Sequence, residues 1–248
     1  MDLNFLIIFA AGVVASSYGT LVGGGSLITI PVLMLLGLPP HTAIGTDRLG
    51  ITGLGIAGWW KFHQKRMIDY RIGVTLGIPT FLGSLLGAML VLEIDPALLK
   101  RIIATFTVMA LVLTAVKPKI GIEKTQRTIG RRHYLWGIFF GFLVGGYGGF
   151  YGPMASTFLA YVLIFLFGQT FLEGAASVKI ATVLMTSVAA LVFAIHGAVD
   201  YTYAAVLFTG CFIGSYLGAH YSDRIGNIWM KRVFIVVVLI MVIKLLGG

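Results

Sequence analysis

The chain has 248 residues, 58% hydrophobic and 11% charged, with a mean hydropathy of +0.97. Soluble domains carry about 25% charged residues, so a water-soluble globule is excluded, and the absence of period-two alternation favours helices over a β-barrel. The formal net charge of +9 sits almost wholly in short links between apolar runs, the topological bias of membrane proteins, which argues against a nucleic-acid partner.

Apolar runs of about 20 residues can cross a bilayer, and they recur from end to end. The first, 3–22, follows a start (MDLNFLIIFA) with no basic lead and no small-residue cleavage site, so it reads as a membrane helix rather than a signal peptide. It runs into the glycine turn "GTLVGGGS" (19–26) and then a short segment, 26–38, closed by "GLPP" (37–40). Segment 42–60 carries Asp47 and Arg48 inside its apolar run, and 72–92 and 97–116 complete a first half. A hydrophilic stretch, "KPKIGIEKTQRTIGRRH" (117–133), divides it from segments 134–150, 153–167, 171–195, 202–220 and 229–246. The expected organisation is all-α: a membrane repeat over 1–116, a basic cytoplasmic linker over 117–133, and a second repeat over 134–248.

An offset of 131 residues superimposes the halves: Gly37 falls on Gly168, Arg48 on Lys179, Asp69-Tyr70 on Asp200-Tyr201, "GSLLGA" (83–88) on "GSYLGA" (214–219), and Lys100-Arg101 on Lys231-Arg232. Basic residues orient each half. Links 61–71 (Lys61, Lys65, Arg66, Arg71), 117–133 and 221–232 (Arg224, Lys231, Arg232) read as cytoplasmic, whereas "HGAVDY" (196–201), without Lys or Arg, reads as external. Equivalent links thus fall on opposite sides, as in an inverted repeat. Link 92–101 is external in this scheme although it carries Lys100 and Arg101, offset by Glu93 and Asp95.

Paired short segments after Gly/Pro breaks are the best sequence pointer to a transporter's binding site. Arg48 and Lys179 lie six to eight residues inside apolar segments, where a cation costs roughly 2.5–3.5 kcal/mol on insertion scales. Two cations converging at equivalent positions suit an anion, with Arg48 as a planar donor and Lys179 as a point charge. The competing reading is structural: Arg48 pairs with a local acid and Lys179 with Glu173. Since i,i+1 neighbours project about 100° apart, Asp47 is expected to face away from Arg48 and pair with Lys179, or else to carry a proton. Glu173 reads as a complement to its helix start.

The candidate site thus comprises Arg48, Lys179 and Asp47 with Thr46 and Ser177, the first turn (Gly23, Gly24, Gly25, Ser26), and Tyr147, Tyr151 and Gly152 of the second turn, "GGYGGFYGP" (145–153). "GGGSLIT" lacks the Gly-Lys-Ser/Thr of a nucleotide loop, leaving a helix N-terminus that can receive anion oxygens or glycines that pack helices. For "GSLLGA" and "GSYLGA" packing is the reading. His63 and His196, at helix ends, read as bystanders, and Trp59-Trp60 and Trp229 as interface anchors. No residues have metal-ligand spacing, and Cys211 is the one thiol, so a disulfide within the chain is excluded.

The stretch "GGGSLITIPVLMLLGLPPHTAIGTDRL", with "MIDYRIG" (67–73) and "GAVDYTY" (197–203), resembles the signature of the TauE/SafE sulfite exporter family. Two features depart from its pattern: Asp47-Arg48 where neutral residues are common, and "FYGPM" for the second glycine turn. The resemblance implies a bacterial inner-membrane secondary carrier, often an exporter, for sulfite or small organosulfur anions, working by alternating access with no dedicated cofactor and no enzymatic step. A passive anion channel, an uptake carrier for another small organic anion, or a membrane sulfur-relay protein using Cys211 are the alternatives. Protons are the candidate coupling ion, and a homo-oligomer is compatible with this reading.

Overall fold

The computed structural model describes residues 3–115 and 129–222, and within them every regular element is an α-helix. In chain order these are α1 (Leu3–Val22), α2 (Ser26–Leu35), α3 (Pro40–Gln64), α4 (Tyr70–Leu92), α5 (Pro96–Ala115), α6 (Arg131–Phe150), α7 (Ala155–Phe167), α8 (Phe171–Ile195) and α9 (Tyr201–His220). Segment 229–246, most of the linker 117–133, Trp229 and the basic residues Arg224, Lys231 and Arg232 lie outside the described residues. Four helices, α1, α4, α8 and α9, are long and apolar enough to cross a membrane.

Local chemistry sets the helix ends. Asp69 caps α4 by accepting the Ile72 N–H at 3.1 Å, and Asp200 caps α9 by accepting the Tyr203 N–H at 2.9 Å. Thr170 and Glu173 form a reciprocal capping box at the start of α8, with bonds of 3.2 and 3.0 Å, which gives Glu173 the helix-start role expected of it. Pro40 opens α3 at a position where its missing N–H costs nothing. Glycines in the left-handed region close both short helices: Gly37 (φ 97°) after α2 and Gly168 (φ 68°) after α7. At 1.5 Å per residue α2 spans about 15 Å and α7 about 20 Å, both well short of about 30 Å of hydrocarbon.

Packing follows one scheme in both halves. Helix α4 lies on α6 and α8, while α9 lies on α1 and α3. Helices α3 and α8 meet at the centre; α2 is held by α1 and α3, and α7 by α6 and α8. Both ends of α3 are separated from both ends of α8 by the same 131 residues. Contacts repeat at that shift as well. The Asp69 N–H donates to Ser177 Oγ at 3.0 Å, and the Asp200 N–H donates to Thr46 Oγ1 at 2.9 Å. Ser84 Oγ donates to the Met185 carbonyl and Ser215 Oγ to the Leu54 carbonyl, both at 2.8 Å.

Glycines allow these helices to touch backbone to backbone, the small-residue packing of membrane helices. A Cβ at Gly83 or Gly87 would lie 2.1 or 2.0 Å from a carbonyl of α6, and one at Gly214 or Gly218 would lie 2.2 or 2.3 Å from a carbonyl of α1. "GSLLGA" and "GSYLGA" are therefore packing motifs, as the sequence indicated. The apolar core runs between α3, α8 and α9 through Ile44, Ile51, Phe193 and Leu207.

Candidate functional site

The two helix breaks meet in the interior. After α1 the chain turns through Gly23 (φ 81°) and Gly24 (φ 83°) into α2. After α6 it turns through Gly152 (φ 90°) and Met154 (φ 65°) into α7. Met154 is a non-glycine residue in the left-handed region, an uncommon position for an L side chain. Thr157 Oγ1, in the first turn of α7, donates to the Val22 carbonyl at the end of α1, so one break rests on the other.

Asp47 and Arg48 stand beside this junction, 0% and 1% exposed. Arg48 Nη2 donates to Asp47 Oδ2 at 2.8 Å and to the Tyr151 carbonyl at 2.9 Å, and lies 3.3 Å from Ser26 Oγ. Arg48 Nη1 donates to the Gly148 carbonyl at 3.4 Å. The Asp47 carboxylate also accepts from Ser26 Oγ at 2.8 Å and from Thr29 Oγ1. The pair therefore ties α3 to the start of α2 and to the C-terminal end of α6, whose carbonyls favour a cation. Only Gly fits at 152, where a Cβ would lie 2.2 Å from Arg48 Nη1.

This corrects the expectation that Asp47 faces away from Arg48 and pairs with Lys179. Neighbours on a helix project about 100° apart, but the Arg48 side chain is long enough for its guanidinium to reach the Asp47 carboxylate. Asp47 is turned toward the hydroxyls of α2, and the guanidinium meets it there.

A cavity of about 20 Å³ adjoins the pair, bordered by Gly23, Gly24, Gly25, Ser26, Arg48, Gly152, Ser156, Thr182 and Thr186 among others. That volume suits about one water, and Ile51, Leu54, Met154 and Met185 add apolar walls beside the polar ones. Arg48 Nε, buried, has no hydrogen-bond partner among the described residues. Ser26 and Ser156, in the first turns of α2 and α7, both border this space, although the N–H groups of Leu27, Ile28 and Ala155 beside them already donate to backbone carbonyls.

Lys179, on α8, is 1% exposed and borders a second, smaller space of about 10 Å³ with Thr20, Val22, Gly23 and Thr157. Arg48 borders the first space and Lys179 the second, and Gly19, Gly23 and Ser156 line both. Four other sequence candidates use their side chains for bracing. Thr46 and Ser177 accept the interhelical N–H groups described above. Tyr147 Oη donates to the Pro153 carbonyl at 2.8 Å, pinning the second turn. Tyr151 Oη meets Thr107 Oγ1 at 2.5 Å on α5, leaving its carbonyl to Arg48.

Sequence reasoning passed over Ser156, Thr182 and Thr186. Ser156 Oγ lies 3.1 Å from Thr182 Oγ1, and Thr52 Oγ1 donates to Thr186 Oγ1 at 3.1 Å. A signal was there: Lys179, Thr182 and Thr186 follow i, i+3, i+7 and share one face of α8. His63 meets the Tyr70 hydroxyl at 2.6 Å and His196 its own Val192 carbonyl at 2.8 Å, both at exposed helix ends. Cys211 is fully buried where α9 approaches Gly12 of α1, and it borders neither cavity. Among the described residues no group of three His, Cys, Asp or Glu could hold a metal.

The chain is similar to probable membrane transporter proteins from several bacteria. One from Haemophilus influenzae is 29% identical over 96% of this chain and 93% of its own length. YfcA of Escherichia coli K12 is 27% identical over 97% of this chain and 88% of its own. YdhB of Bacillus subtilis is 22% identical over 92% and 93%. No solved structure gives a significant match. Residues 8–245 match the family described as "Sulfite exporter TauE/SafE". By this match over nearly its whole length, the chain belongs to the TauE/SafE family of membrane transporters.

Proposed function

We propose that the protein is a secondary transporter of a small sulfur-containing anion, sulfite or a small organosulfur anion. It exports that anion across the bacterial inner membrane by alternating access and carries out no chemical step. The observation that carries this reading is Arg48: a fully buried guanidinium at the junction of both helix breaks, bordering a cavity with hydroxyl and apolar walls, with an unpartnered Nε–H among the described residues. Intramembrane ionisable residues are functional by default.

The charge sum favours a small anion. Asp47 neutralises Arg48, and Lys179 is a second buried basic group with no acid paired to it among the described residues. A pyramidal or tetrahedral oxyanion is larger than the cavity of about 20 Å³, so loading requires the walls to part. Two inverted repeats of about five segments each supply that motion by rocking about the fixed site. The common 131-residue shift of helix ends, caps and interhelical bonds supports that architecture. The direction of transport and the choice of sulfur anions rest on the family's description.

Counterflow in proteoliposomes with sulfite, thiosulfate, sulfoacetate, taurine and carboxylates tests the proposal. Saturable exchange of at least one sulfur anion, inhibited by the others, is expected. Flux that rises linearly with concentration would make it a channel, and exchange of carboxylates alone would remove sulfur anions as the substrate.

A further inference from the structure

Arg48 and Lys179 border different spaces, and the two lie wall to wall: Gly19, Gly23 and Ser156 line both. Their electrostatics differ. Arg48 is met by a carboxylate at 2.8 Å and by two carbonyls. Lys179 is just as buried, and among the described residues it takes part in no ion pair. A buried amine with no acid beside it carries its charge only at a cost, which an anion bound there would offset. Its surroundings are Thr20 and Val22 of α1, Gly58 of α3, and Thr157 and Ala160 of α7, none of them acidic. Such a site repels a metal cation or an amine and attracts an oxyanion.

Its placement echoes that of Arg48. Arg48 reaches the carbonyls of Gly148 and Tyr151 at the end of α6. The residues 131 positions earlier are Ser17 and Thr20, at the end of α1. Lys179 lies beside Thr20: a Cβ at Gly58 would be 3.1 Å from Lys179 Cδ and Cε and 2.8 Å from Thr20 Oγ1. Each cation therefore stands at the C-terminal end of the helix before a break. Ser156, whose Oγ lies 3.1 Å from Thr182 Oγ1, stands in the wall between the two spaces.

We infer that Lys179 forms a second subsite for a small oxyanion, adjoining the Arg48 cavity across Ser156 and Gly23, and that the transported anion passes from one to the other. This rests on the carrier reading above. Arg48 then governs binding, and Lys179 governs passage.

The test separates equilibrium binding from flux, with radiolabelled sulfite as probe on full-length protein. Arg48→Gln is expected to raise Kd at least tenfold. Lys179→Gln is expected to shift Kd less than threefold while lowering the maximal counterflow rate at least tenfold, and the retained binding shows that the variant is folded. If Lys179→Gln raises Kd as far as Arg48→Gln does, the two cations serve one site and the inference fails. It also fails if Lys179→Gln changes neither quantity. Wild-type protein without saturable sulfite binding would instead overturn the carrier reading for sulfite, and this inference with it.

Discussion

Asp47 and Arg48, adjacent in the chain, form an ion pair of 2.8 Å in the interior of the protein. The pair joins three helices: Asp47 holds the hydroxyls of α2, and Arg48 holds the last carbonyls of α6. Two opposite charges in an apolar helix thus form a clamp across the two breaks, and the clamp leaves the guanidinium bordering the cavity.

Removing one partner of a buried pair leaves the other charge unmet, typically at about 3–5 kcal/mol, whereas removing both is far milder. Asp47→Asn is therefore expected to lower the Tm in detergent substantially, and Asp47→Asn with Arg48→Gln to recover part of the loss. Thermal unfolding of the two single variants and the double variant checks this. Additive losses would contradict the clamp.

Gly152→Ala would press a methyl group onto Arg48 Nη1, 2.2 Å away, at φ 90°. Gly197→Ala, at φ 68° with nothing within 4 Å, meets only the backbone strain of about 1–2 kcal/mol. Transport should fall at least tenfold in the first variant and stay within about twofold of wild type in the second, relative to protein amount. Equal losses in proteoliposome uptake would mean that strain alone is at work.

Much of this arrangement was legible in the sequence because charge and glycine are rare signals in an apolar chain. The run 171–195 gave α8 to the residue, and the short segments were evident from their breaks. Helix α3 overruns its apolar window of 42–60 because Lys61 to Gln64 continue the helix beyond the greasy stretch, and α2 stops at Leu35, ahead of the turn at Gly37. The Asp47–Arg48 pair was misread because Cβ directions do not constrain a side chain as long as arginine. Hydroxyls were the hardest to place. Thr182 and Thr186 each also bond the carbonyl four residues back, a habit of threonine in any membrane helix, so their type alone did not mark the cavity.

Thr46→Val and Ser177→Ala each remove the acceptor for a half-buried interhelical N–H. A fully buried donor left unmet costs about 1–3 kcal/mol, so a loss toward the lower end is expected, similar in the two variants because the bonds occupy corresponding places. Anion affinity should stay within threefold of wild type. Thermal unfolding beside equilibrium binding decides between bracing and substrate contact: a large change in Kd without loss of stability would put these hydroxyls at the substrate.

Cys211→Ala should leave the KM and maximal rate of counterflow unchanged, because the thiol is buried between α1 and α9 and borders neither cavity. Loss of activity in a variant of unaltered stability would revive a thiol-dependent mechanism.

Binding of the transported anion by the buried Arg48 guanidinium between the two helix breaks is tested by counterflow of radiolabelled sulfite into proteoliposomes containing wild-type protein or Arg48→Gln, with thiosulfate and taurine as further labels. The expected result is saturable exchange by the wild type and loss of saturation in a variant that still elutes as folded protein. Unaltered saturable exchange by Arg48→Gln would contradict it.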